Sequence, residues 1–72
     1  SFITLNSDDI RVNKIEYPDK KLKNTLEAER LIQSFDTNGT VLASALSSNN
    51  TNPLIVQHET SYYVATPNLF DW

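Results

Sequence analysis

The chain has 72 residues, no cysteine, one histidine and a formal charge of −3. It is expected to form one small domain (1–72), and disulfides, Cys-ligated zinc and thiol chemistry are excluded. The acidic balance argues against direct binding of a phosphate backbone, which draws on a basic excess. No apolar run reaches transmembrane length and no charged-then-apolar leader is visible, so the expectation is a cytoplasmic chain with no membrane contact. Opening on Ser1 rather than Met reads as a processed start or a piece of something longer.

Phe2–Leu5 reads as a short strand closed by the turn formers Asn6-Ser7-Asp8-Asp9. Ile10–Tyr17 reads as a second strand, able to pair with the first as a hairpin. Its alternation changes phase near Asn13-Lys14, which predicts a bulge or a change of partner. Pro18 ends it, having no N–H to give a ladder.

The spacing then predicts a helix from about Thr25 to Asp36. Asn24-Thr25-Leu26-Glu27 resembles a capping box, and Ala28, Leu31, Ile32 and Phe35 share one helical face. Asn38-Gly39 supplies a left-handed terminator. Thr40–Ser48 fits a short helix by the spacing of Val41, Leu42, Ala45 and Leu46, although Thr40-Val41 could equally open a strand. Ser47–Asn52 is the most loop-like segment.

Pro53–Thr66 is the most β-committed stretch. Leu54–His58 and Tyr62–Thr66 flank the polar tetrad His58-Glu59-Thr60-Ser61 as the arms of a hairpin. Leu54-Ile55-Val56 is consecutive, as in a central strand covered on both faces. Thr66-Pro67 then reads as N-cap and N1 of a final helical turn carrying Leu69, Phe70 and Trp72. The predicted fold is α+β: a small, mainly antiparallel sheet with one principal helix packed on one face.

Catalytic signatures are thin. His58-Glu59 begins like HExxH, but Tyr62 takes the place of the second histidine, so a solvated turn is the favoured reading. No serine sits in a GxSxG elbow, and Asp8-Asp9 is read as turn chemistry rather than an acid/base pair. Lys20, Lys21, Lys23 and Arg30 form the only basic concentration, read as a solvated surface. No catalytic residue, metal ligand or cofactor is assigned. Tyr62 and Tyr63 fall on opposite faces of a strand, one for the core and one available to a partner. Together with Thr66, Leu69, Phe70 and Trp72 they form the candidate interaction set.

Two family resemblances accompany this reading. An early strand at Ile10–Ile15, a helix ending at Gly39, Pro53-Leu54-Ile55-Val56 and Tyr63-Val64-Ala65 resemble the middle of the ParB/sulfiredoxin-like fold. That family's Gly-x-Arg-Arg nucleotide-contact signature falls on Thr66-Pro67-Asn68-Leu69, so its CTP or ATP chemistry is not implied. Thr25-Leu26-Glu27-Ala28, Pro53–Val56 and Val64-Ala65-Thr66 are similar to a cystathionine-β-synthase-type repeat, with Leu69 where its aspartate would stand. Either resemblance implies a degenerate nucleotide sensor with a site near the end of the 54–66 hairpin. The residues themselves favour a non-enzymatic regulatory or adaptor module that contacts a protein partner or a second copy of itself.

Overall fold

The computed structural model describes residues 1–19 and 23–66, Lys23 by its backbone alone. It is all-β: β1 (Ile3–Glu16), β2 (Lys23–Thr37), β3 (Thr40–Leu46), β4 (Thr51–His58) and β5 (Ser61–Val64). They form one antiparallel sheet in the order β2-β1-β3-β4-β5. The α+β expectation is therefore corrected, since the described residues contain no helix. The final turn expected at Pro67–Trp72 lies outside the described residues.

The correction is largest at Thr25–Asp36, which is strand β2. Its partner β1 is fourteen residues long, and those backbone groups need a ladder. Pairing along that length outweighs helix propensity, which separates ordinary residues by only about 0.7 kcal/mol each. The three-residue spacing of Ile32 and Phe35, the mark of a helical face, arises here from a bulge. Leu5 pairs with Phe35 and Asp9 with Gln33, so Asn6-Ser7-Asp8 stand opposite Ser34 alone. Two surplus residues on β1 rotate the ribbon and bring both Ile32 and Phe35 inward, each 2% exposed. Leu31 and Ala28, core positions of the expected helix, are exposed.

The same bulge replaces the expected turn at Asn6–Asp9. Phe2–Leu5 and Ile10–Tyr17 do not pair with each other: Ile3 to Glu16 is one continuous strand. Side chains of β2 satisfy two of the bulged carbonyls, Gln33 Nε2 donating to Asn6 O and Ser34 Oγ to Asp8 O, both at 2.9 Å. The phase change read near Asn13-Lys14 is present. The β1–β2 register slips between Val12 and Lys14, and from Lys14 to Glu16 β1 also pairs with β3.

Because β1 joins β3 only over Lys14–Glu16, the β1–β2 ribbon is free to fold across the β3–β4–β5 meander. Phe35 meets Tyr63 edge-on at 5.0 Å, and Phe2 stacks on His58 at 5.1 Å. Val12, Ile15, Ile32, Phe35, Ala43, Ala45, Leu54 and Val56 form the buried interior between the two layers. Thr40–Leu46 is strand rather than short helix.

Two residues hold the layers together in ways the sequence reading assigned otherwise. Asn52, placed in a loop, is the second residue of β4 and is only 6% exposed. Its Oδ1 accepts the Phe35 N–H at 3.3 Å and its Nδ2 donates to Pro53 O at 2.8 Å, tying the β2 backbone to β4. Gly39 does not adopt the left-handed conformation of a helix terminator. It is needed for close approach: a Cβ there would stand 2.6 Å from Val56 Cγ1 and 2.8 Å from Gln57 O.

Candidate protein-binding edge

An open antiparallel sheet leaves rows of unpaired backbone groups, which proteins commonly protect with charges, bulges or shortness. Here β2 and β5 are the outer strands, and β1 has an open flank before Lys14. The flank of β1 carries Asp8, Asp9 and Arg11 and the bulge at Asn6–Asp8. β2 carries exposed Glu27 and Glu29. β5, Ser61-Tyr62-Tyr63-Val64, carries no charge and no bulge.

The β5 strand is positioned by β4. Register pairs Ile55 with Val64, Val56 with Tyr63, Gln57 with Tyr62 and His58 with Ser61. Glu59 and Thr60 make the connection, with Glu59 at a positive φ of 55°. That places the turn within the expected tetrad. Strand alternation then separates the two tyrosines. Tyr63 turns inward against Phe35, half-buried, while Tyr62 is 62% exposed. Val64 lies on the Tyr62 side and is 37% exposed. Leu5 and Leu31, also exposed, lie on the ribbon and do not join this edge.

Of the sequence-expected interaction residues, Tyr62 and Tyr63 lie on β5, and Thr66 follows it, half-buried. Leu69, Phe70 and Trp72 lie outside the described residues. Val64 was not singled out by the sequence, although its two-residue spacing from Tyr62 could have found it.

Other candidate chemistry is dispersed. His58 ends β4 with its ring on Phe2, and Glu59 is in the turn, so neither belongs to a helix. Asp8 and Asp9 are exposed on β1, and no group of three or more potential metal ligands occurs among the described residues. Lys20 and Lys21 lie outside them. A cleft of about 190 Å3 lined by Glu16, Tyr17, Pro18, Val41, Ala43 and Ser44 is small against the roughly 300–1,000 Å3 of drug-sized ligand sites. A second, about 310 Å3, lies beside Asn13, Lys14 and Leu46–Ser48. No described helix is long and apolar enough to cross a membrane.

Comparison with protein-family models, with curated proteins and with solved structures returns no match in any of the three. The residues that carried the family resemblances sit on this sheet: Thr25–Ala28 in β2, Pro53–Val56 in β4 and Tyr63-Val64 in β5.

Proposed function

We propose that the chain is a non-enzymatic binding module that works through protein–protein contact at the β5 edge. The observation that carries this reading is the contrast among open edges. The flanks of β1 and β2 bear charge, whereas β5 offers an uncharged strand flanked by exposed Tyr62 and Val64. Strand addition would draw affinity from backbone hydrogen bonds and selectivity from alternate side chains. An exposed tyrosine supplies contact area at low entropic cost.

The test is a photo-crosslinking residue at position 62, followed by binding of the purified captured partner to the wild type and to Tyr62→Ala. The expected result is a crosslink confined to the β5 edge and binding weakened about tenfold or more by the substitution, as for a contact hot spot. A partner whose contacts map to β2, with binding untouched by Tyr62→Ala, would sink the reading. Titration with CTP, ATP, AMP and S-adenosylmethionine covers the nucleotide-sensor alternative. Amide shifts centred on Thr66 would replace the proposal.

A further inference from the structure

We infer that the strand completing the β5 edge is β5 of a second copy, antiparallel to the first about a twofold axis at Tyr63; this rests on the binding-edge reading above. The inference comes from ladder parity. Ala65 N donates to Leu54 O at 2.9 Å, which extends the β4–β5 ladder past Val64. Antiparallel residues alternate between hydrogen-bonded and non-hydrogen-bonded pairs. Ser61, Tyr63 and Ala65 therefore turn their backbone groups toward β4, and Tyr62 and Val64 turn theirs to the open side.

A twofold through Tyr63 places Tyr62 of each copy opposite Val64 of the other. Those are the residues with outward N–H and C=O groups, so each such pair exchanges both hydrogen bonds. A twofold centred on Tyr62 would leave Val64 facing the turn residue Thr60 instead. The Tyr63-centred register also forms an aromatic–β-branched pair at each end, a favourable cross-strand combination. No charged residue of Ser61–Val64 meets a like charge, so the net charge of −3 does not oppose this contact locally. A twofold at Ala28 of β2, by contrast, would set the exposed Glu27 of each copy against Glu29 of the other. An edge this short falls well below the roughly 1,200 Å2 of stable complexes, so the association is weak and concentration-dependent.

The experiment is a dilution series of the intact chain by sedimentation velocity, with amide hydrogen exchange at Tyr62 and Val64 read across the same concentrations. Wild type, Tyr62→Lys, Val64→Glu and the double variant are compared, with chemical-shift dispersion as the check on folding. The mass of the wild type is expected to rise from monomer toward dimer, with the two amides gaining protection in parallel. Each single variant should weaken association roughly two- to thirtyfold, the loss of two cross-strand pairs. The double variant should regain it, because only this register sets position 62 against position 64.

Failure to rescue, with folded singles, overturns the Tyr63-centred register. A chain monomeric at millimolar concentration whose Tyr62 and Val64 amides exchange freely overturns self-pairing and leaves the edge available to another protein. A monomer in which both amides are protected at every dilution means that the chain covers its own edge. That result overturns the binding-edge reading as well.

Discussion

Three residues test the fold most directly. Asn52 is a buried amide whose Oδ1 accepts the Phe35 N–H from the other layer, while its Nδ2 donates to Pro53 O within β4. Asn52→Ala strands the Phe35 N–H and is expected to cost about 1–3 kcal/mol, read as a lowered urea midpoint at unchanged slope. Gly39→Ala puts a methyl group against Val56 and the Gln57 carbonyl. The expected cost is about 1–3 kcal/mol, and trimming Val56 at the same time should not recover it, because the Gln57 oxygen is backbone. Glu59 has the opposite sign. Its φ of 55° belongs to a region that asparagine tolerates and glutamate does not favour. Glu59→Asn should raise the thermal midpoint slightly, by roughly 0.5–1 kcal/mol of stability. An unchanged or lower midpoint would show that the turn is held by other contacts.

At the scale of elements, β2 decides the architecture, and one neighbouring pair of residues reports on it. A helix over Thr25–Asp36 would bury Leu31 and Ile32 together; the strand buries Ile32 and leaves Leu31 60% exposed. Ile32→Ala should therefore cost about 2–5 kcal/mol, whereas Leu31→Thr should be close to neutral. Equal large losses at both would refute the strand. This is also where the sequence misled. Leu26–Phe35 has helix-favouring composition and a three-residue apolar spacing, and a bulge formed by the distant Asn6–Asp8 reproduces that spacing in a strand. Tertiary pairing of this kind is not written in any local window. By contrast, the β4–β5 hairpin was legible because its turn and both arms are contiguous. The opposed roles of Tyr62 and Tyr63 followed from strand alternation alone. What made the β5 edge a candidate site, its lack of charge beside charged β1 and β2 flanks, needed the strand order. Gly39 and Asn52 were invisible as joints because their partners lie on other strands.

The molecule as a whole is two layers from one sheet: a long ribbon, β1–β2, and a meander, β3–β4–β5. Within each layer the strands are neighbours in sequence with short connections at Ser47–Asn50 and Glu59-Thr60. Between the layers lies the shared apolar interior, and among the described residues it is supplemented by the Lys14–Glu16 ladder, the Asn52–Phe35 bond, the close approach at Gly39, and aromatic contacts. That joint has a consequence in time. Each layer pairs strands that follow one another in the chain, so closure of one layer on the other is expected to come after the rate-limiting barrier. Asn52→Ala should then leave the refolding rate nearly unchanged and shift its whole effect to faster unfolding. The buried amide of Asn52 would then act on the lifetime of the native state rather than on the speed of reaching it.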